Sequence, residues 1–212
     1  ALAAGQLMWV AGREPSGFPG PTAMNPAAGQ PKLIRGSARA AKAAGVVYSS
    51  GEVNSQVQVK MAKASAQTLG LEIKEATVSN SSEVQQAALS LDVDAYYIPT
   101  DNTVVSAIES LLQVAESKKV PVIAAEGDSV KRGATATFGI DYYQLGYQTG
   151  QMAVKVLRDG VKPGDMPIET QTTLHLTVNG TPGQPPGLTL PAASVRPSDA
   201  RHTYPPRAPT QP

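Results

Sequence analysis

The chain has 212 residues, a net charge of +1 and no cysteine. The lack of cysteine excludes disulfide scaffolds, thiolate zinc sites, iron–sulfur clusters and cysteine nucleophiles. Its two histidines, His175 and His202, are too far apart in sequence to suggest a metal site. The balanced charge, without a run of lysine and arginine, argues against a nucleic-acid partner. No apolar run has the length of a membrane span, and the first residues, ALAAGQLMWVAG, lack the basic region of a signal peptide.

Proline is concentrated at the two ends of the chain. Fourteen of the 18 prolines lie in residues 1–44 and 173–212. Because proline fixes φ and removes a hydrogen-bond donor, both ends resist regular structure. We therefore predict an irregular N-terminal flank at residues 1–44, an α/β domain at residues 45–179 and a Pro-rich, disordered tail at residues 180–212.

The middle segment alternates between two periodicities. Short β-branched or alternating runs predict strands at residues 45–49, 71–78, 95–99, 120–125, 134–140 and 174–178. Helical spacing predicts helices at residues 54–69, 80–91, 102–118 and 142–157, with at most one turn at 129–132. In the first of these helices we expect Val57, Met61 and Ala64 to share the apolar stripe. The alternation predicts an α/β fold with a Rossmann-like, open, mostly parallel sheet and flanking helices.

Polar residues follow four of the predicted strands. In open α/β sheets, ligands bind beyond the carboxyl ends of the strands. The residues at these positions are Ser50, Glu52, Asn54, Ser55, Thr100, Asp101, Asn102, Glu126, Asp141 and Tyr142. Carboxylates at this edge suit an ammonium group, and helix N-termini and hydroxyls suit a carboxylate. Tyr142 and Tyr143 add flat apolar surfaces. The edge is therefore suited to a zwitterion such as an amino acid.

Other interpretations of the same residues remain open at this point. Asp, Asn and Ser after a strand are ordinary helix caps. Asp101, Glu126 or Asp141 could serve a small α/β enzyme as acid or base, although no nucleophile or cofactor motif accompanies them. An α/β regulatory domain of a transcription factor is a further alternative, but no basic stripe precedes residue 45. Of Tyr96 and Tyr97, we expect one to lie in the core.

Several longer stretches carry a resemblance. GVVYSSGEVNSQVQVK, DAYYIPTDNTVVSA and TFGIDYYQLGYQTG make residues 45 to about 178 similar to the second lobe of an ABC-transporter substrate-binding protein. The resemblance is to the subfamily that binds tryptophan, tyrosine and related amino acids. It implies one lobe of a two-lobed periplasmic-binding-protein-like fold, without catalysis, cofactor or metal. It also implies a periplasmic or lipid-anchored extracellular receptor that delivers a small zwitterionic ligand to ABC permease subunits in the membrane.

The resemblance also implies a ligand site and a packing problem. The ten residues named above match the ligand-binding loops, with Asp101 and Asp141 expected to face the ammonium. Ser50, Asn54 and Ser55 would hold the carboxylate. Residues 1–44 do not resemble the family's first lobe, so we expect that lobe to be missing or garbled and binding by this chain to be weak or absent.

In the family, the helix at 142–157 packs on the first lobe. We therefore expect its apolar stripe, Leu145, Met152 and Val156, to have no sheet to cover.

Overall fold

A computed structural model of the chain describes residues 21–22, 29–38, 40–167, 169–170, 174–179 and 201–204. The helices are α1 (Gln30–Ser37), α2 (Val53–Thr68), α3 (Val84–Ser90), α4 (Asn102–Ser106), α5 (Ile108–Lys118), α6 (Gly127–Arg132) and α7 (Tyr142–Leu157). The strands are β1 (Pro21–Thr22), β2 (Ala43–Ser49), β3 (Glu72–Val78), β4 (Ala95–Ile98), β5 (Val122–Ala124), β6 (Ala136–Ile140), β7 (Glu169–Thr170), β8 (Leu174–Asn179) and β9 (Arg201–Tyr204).

One sheet of seven strands organises the described residues, in the order β3-β2-β4-β5-β6-β8-β9. Neighbouring strands from β3 to β6 are parallel, whereas β8 runs antiparallel to β6 and parallel to β9. The chain moves outward from β2 to β3 and then returns to the other side of β2 with β4. The predicted mostly parallel α/β sheet is therefore confirmed, and its strand order reverses between β2 and β4.

Helices cover both faces of this sheet, and each face has its own apolar core. On one face, Ile108 and Leu111 of α5 pack with Val47 and Tyr96 of the sheet. The other face is built by the following side chains: Leu33, Ile34, Val59, Ala62, Val46, Tyr97 and Phe138. Tyr96 and Tyr97 are both fully buried because successive strand residues point to opposite faces. We predicted that one of these two tyrosines lies in the core, and the structure buries both.

Helix α2 ends where the sequence predicts but buries a different face. Gly70 follows its last turn with φ 61°, a left-handed conformation that glycine adopts without a steric cost. The buried side chains are Ser55, Gln58, Val59, Ala62 and Ala66. The predicted stripe is therefore wrong for Ala64, which is exposed, and lies at the margin of the buried face for Val57 and Met61, which are half-buried, Met61 against the core.

The predicted single helix at 102–118 is two helices. Ala107 separates α4 from α5, and its φ of −114° and ψ of 27° lie outside the helical range. Asp101 caps α4 by accepting a hydrogen bond from the Val104 amide. Val104 of α4 and Ile108 of α5 are both buried in the same core cluster.

The N-terminal flank contains a regular element that we did not predict. Helix α1 buries Leu33 and Ile34 completely against the sheet. The buried Gln30 side chain donates to the Phe138 carbonyl (2.8 Å) and accepts from the Phe138 amide (3.4 Å) of β6. The prediction of an irregular flank is therefore wrong over Gln30–Ser37, and wrong again at Ala43–Ala44, which begin β2.

Helix α7 has the predicted bounds and a packing partner. Leu145 and Met152 are buried and Val156 is half-buried. The helix contacts β1, which pairs with β7 in a two-stranded sheet, and Gln148 Nε2 donates to Glu169 Oε2 of β7 (2.6 Å). The expectation that this stripe has no sheet to cover is therefore wrong in part, because the helix contacts the small sheet of β1 and β7, and Leu145 and Met152 are buried.

The tail contains one described segment. Arg201–Tyr204 forms strand β9, which pairs with Leu176–Asn179 of β8. The prediction of disorder is therefore wrong for these four residues. The rest of the tail and residues 1–20 of the flank lie outside the described residues, so the assignment of both segments stays a prediction.

Candidate ligand-binding site

The loops at the carboxyl ends of β2, β4, β5 and β6 share one edge of the sheet, because these strands are parallel. The predicted residues lie in these loops or in the helix turns that follow them. The strand order reverses between β2 and β4, and α/β proteins bind ligands outside the carboxyl ends of the strands at such a reversal. Contacts join the predicted residues into two groups, one around β2 and β4 and one around β5 and β6.

Asp101 anchors the first group from a buried position. Only 1% of the residue is exposed. Its carboxylate accepts hydrogen bonds from the Ser49 amide (2.7 Å) and the Val104 amide (2.9 Å), so it ties β2 to the start of α4. Burial raises the pKa of Asp101, and the nearby Glu52 charge adds to the rise, while the hydrogen bonds oppose it. These contacts give Asp101 a capping role and leave its carboxylate little surface for a ligand.

Glu52, in the loop after β2, also binds the start of α4. Its carboxylate accepts from the amides of Asn102 (3.1 Å) and Thr103 (3.0 Å) and from both of their side chains. Partial burial opposes ionisation of Glu52, but these hydrogen bonds outweigh it and lower the pKa. The first amides of α4 are therefore already occupied by two carboxylates, those of Glu52 and Asp101.

Two side chains of α2 hold the Thr100 loop. Asn54 Nδ2 donates to the Thr100 carbonyl (2.6 Å). Gln58 Oε1 accepts from the Thr100 amide (3.0 Å) and the Tyr97 hydroxyl (3.3 Å), and Gln58 Nε2 donates to the Thr100 hydroxyl. Gln58 is almost fully buried, and sequence reasoning missed it because a glutamine in a helix normally indicates a solvated face.

The N-terminus of α2 differs from that of α4. Within the described part of the chain, no side chain caps α2, a helix of 16 residues whose N-cap position is Glu52. The first amides of a helix attract an anion. Ser50 is exposed just before this turn. Ser55 is fully buried beside Asp101, and its contact with the Asp101 carboxylate opposes the rise in the pKa of Asp101. The Ser55 hydroxyl forms no hydrogen bond of standard geometry with a described residue.

In the second group, Glu126 and Asp141 cap the two helices that follow β5 and β6. Glu126 accepts from the amides of Asp128 (2.6 Å) and Ser129 (2.8 Å) at the start of α6. Asp141 Oδ1 accepts from the amides of Tyr143 (2.8 Å) and Gln144 (3.1 Å) at the start of α7. The Asp141 side chain remains 30% exposed, so this carboxylate is open to a ligand in a way that Asp101 is not.

Tyr142 and His175 complete the second group. Tyr142 is 53% exposed, and the pKa of its phenol is raised by partial burial and by the charges of Glu126 and Asp128. His175 Nε2 lies 3.6 Å from Asp141 Oδ2. The sequence places His175 in a predicted strand, but nothing in it indicates that this strand, β8, brings the side chain to the ligand edge.

No group of three or more His, Asp or Glu side chains suited to a metal ion occurs among the described residues. Over the same ranges, no helix is long and apolar enough to cross a membrane.

Comparison with known proteins identifies relatives for most of the chain. The sequence profile described as ABC transporter substrate binding protein matches residues 19–198, which extends beyond the resemblance at 45–178 on both sides. Over 150 residues, the chain is 41% identical to a tyrosine-binding protein of Clostridioides difficile. This match covers 70% of the chain but only 43% of the relative, so the chain spans less than half of that protein's length.

Two solved structures share the fold. An ABC domain from Streptococcus pneumoniae in complex with L-Trp superposes with a TM-score of 0.80 and 29% identity, over 93% of this chain and 70% of the other. The ligand-free, open structure of a substrate-binding protein with adhesive properties from Clostridium difficile gives a TM-score of 0.61 and 35% identity, over 82% and 58% of the two chains. On the profile match and these similarities, the chain belongs to the ABC transporter substrate-binding protein family.

Proposed function

We propose that this chain supplies the ligand-binding lobe of a non-enzymatic ABC importer receptor, which captures an aromatic amino acid and delivers it to membrane permease subunits. One observation carries the proposal. The partly exposed carboxylate of Asp141 and the uncapped N-terminus of α2 lie at the same edge of the sheet. An amino acid needs an anion for its ammonium and positive partial charge for its carboxylate, and this edge offers both.

Each part of the ligand has a proposed partner. The ammonium pairs with Asp141, supported by the negative charge of Glu126. The carboxylate lies on the side of the ligand toward the exposed Ser50 and the N-terminus of α2, whose first amides add positive partial charge from three strands along the same edge. The aromatic ring packs on Tyr142, which presents an apolar face at the same edge. These four positions come from the loops after β2, β5 and β6.

The other predicted site residues support this arrangement without direct contact. Asp101 and Glu52 occupy the start of α4, and Asn54 holds the Thr100 carbonyl. Ser55 is buried beneath the α2 turn, and Asn102 is bound to Glu52. We infer that these six residues fix the positions of the loops, so that the contacting groups are preorganised for the ligand.

The choice of ligand class rests on the similar proteins. One of them is named as tyrosine-binding and another was solved with L-Trp. The proposal therefore names tyrosine and tryptophan as the first candidates. A receptor of this kind acts outside the cytoplasmic membrane, in the periplasm or on a lipid anchor. In a two-lobed receptor the second lobe adds contacts on closure, so we expect this chain alone to bind weakly.

Isothermal titration with L-tyrosine and L-tryptophan tests the proposal, with L-leucine as the non-aromatic control. Asp141→Asn removes the charge while asparagine can still cap α7. We expect the aromatic ligands to bind and the variant to lose roughly tenfold or more in affinity, the usual effect of a hydrogen bond to a charged group. Asp159→Asn, at an exposed acid beyond the end of α7, is the matched control and should bind as the wild type does. Equal affinity of the wild type and Asp141→Asn would rule out the proposed ammonium site.

A further inference from the structure

The position of His175 follows from strand pairing. In the antiparallel pair of β6 and β8, Gly139 lies opposite His175, and Ile140 lies opposite Leu174. The start of β8 is therefore at the carboxyl end of β6, the edge where the loops of the candidate site lie. The His175 side chain is 22% exposed, and its Nε2 atom is 3.6 Å from Asp141 Oδ2, within ion-pair distance once the imidazole is protonated.

The two oxygens of Asp141 have different surroundings. Oδ1 accepts the amides of Tyr143 and Gln144, which fixes the carboxylate at the cap of α7. Oδ2 is the oxygen that faces His175. A ligand ammonium that approaches Oδ2 therefore arrives beside the imidazole.

Acidic groups prevail among the charges near this pair. The loop that carries Glu126 packs over Gly139, since a methyl group there would lie 3.7 Å from the Glu126 Cα. Glu126 and Asp128 both act on the phenol of Tyr142.

The neighbouring elements carry the basic groups. On α6, which contacts β8, Lys131 pairs with Asp128, and Arg132 pairs with Glu109 of α5. On β9, Arg201 and His202 align with Leu176 and Thr177 of β8.

We propose that His175 is a positioning residue that makes amino-acid capture depend on pH, because its protonated form competes with the ligand ammonium for Asp141. The inference rests on the proposed function of the site. An imidazole ordinarily titrates near about pH 6.5, where carboxylates remain ionised. With a neutral imidazole beside it, Asp141 offers its charge to the ammonium. With an imidazolium 3.6 Å away, that charge is already paired, so we expect the affinity for the amino acid to fall in acid.

The test is isothermal titration with L-tyrosine at about pH 8 and about pH 5.5, on either side of the imidazole range. L-tyrosine itself stays zwitterionic over this range. We expect the wild-type affinity to fall about fivefold or more, the effect of one charge pair of modest strength. The variant His175→Gln should lose most of this pH dependence. The variant His202→Gln, which removes the chain's other histidine, should keep it.

A second probe separates charge competition from a general loss of structure. 3-(4-Hydroxyphenyl)propionate has the ring and carboxylate of tyrosine but no ammonium, so its binding to the wild type should not weaken at the lower pH. The inference is overturned if L-tyrosine affinity is flat with pH, if His175→Gln retains the full dependence, or if both probes weaken equally. In each of these cases the proposed function stands. If L-tyrosine and L-tryptophan bind at neither pH, the proposed function fails and this inference fails with it.

Discussion

Glu52 and Asp101 lie at the same helix start, yet their pKa values move in opposite directions. The pKa of Glu52 is lowered because the Asn102 and Thr103 amides outweigh its partial burial. The pKa of Asp101 is raised because its burial outweighs the Ser49 and Val104 amides. A carboxyl group whose pKa falls on folding stabilises the folded protein at pH values above its usual pKa. A carboxyl group whose pKa rises on folding destabilises the folded protein at pH values where the group is ionised.

The variant Glu52→Gln should change how stability depends on acid. The contribution of Glu52 is fully present above its usual pKa of 4.5 and is lost as the pH falls through its lower folded-state value. Glutamine cannot accept all four hydrogen bonds, so we expect a loss of about 1 kcal/mol in the free energy of unfolding at neutral pH. The difference from the wild type should shrink toward pH values below that range. Urea unfolding at several pH values measures this, with Glu116→Gln on the exposed face of α5 as control. A difference that does not change with pH would contradict the account.

Gln58 should matter more for stability than its residue type suggests. The variant Gln58→Ala leaves the partly buried Thr100 amide and the buried Tyr97 hydroxyl without their acceptor. We expect a loss of about 2–3 kcal/mol, the cost of unsatisfied buried polar groups. Thermal melting measures it, and Gln67→Ala, at an exposed position of the same helix, should be nearly neutral. Equal melting temperatures for the two variants would show that Gln58 does not support the Thr100 loop.

The sequence could predict which residues lie at the ligand edge but not which of them remain open. Asp101 and Asp141 occupy equivalent places after β4 and β6, and both cap a helix. Only the structure shows that Asp101 is buried while Asp141 stays accessible. His175 was missed for a related reason, since its place depends on the antiparallel pairing of a distant strand.

At the scale of elements, α1 contributes to the core although its sequence looks irregular. Ile34 is fully buried against the sheet, so Ile34→Ala should lower the free energy of unfolding by about 2–5 kcal/mol. Lys32→Ala, at an exposed position of the same helix, should change it by less than about 0.5 kcal/mol. Chemical denaturation of both variants checks this. A small loss in Ile34→Ala would mean that α1 is not part of the cooperative unit.

Element boundaries were largely predictable, and element faces were not. Capping residues and glycines mark chain positions: Gly70 follows the end of α2, and Asn80 caps a short 3-10 turn (Ser81–Glu83) that leads into α3 at Val84. The buried face of α2 depends on how closely the helix approaches the sheet. Ala62 and Ala66 are small enough to allow a close approach. A pattern of large apolar residues selects Val57 and Met61 instead, so it does not identify the face with the small residues.

At the scale of the whole molecule, the chain is a family member that spans 43% of the length of its tyrosine-binding relative. In a two-lobed receptor, ligand contacts from both lobes favour the closed state. The edge formed by β2, β4, β5 and β6 would supply one set of those contacts. We therefore expect this edge to recognise an aromatic amino acid, even when the affinity is low.

The most direct test is a thermal melt of this chain, alone and with millimolar L-tyrosine, L-tryptophan or L-phenylalanine, and with L-valine as a branched-chain control. A ligand that binds only the folded state stabilises it by about 1.4 kcal/mol at roughly ten times its Kd. The account predicts a cooperative melt that the aromatic amino acids raise and L-valine does not. A melt that no amino acid moves, or that L-valine raises equally, would contradict the claim that this lobe carries an aromatic amino-acid site.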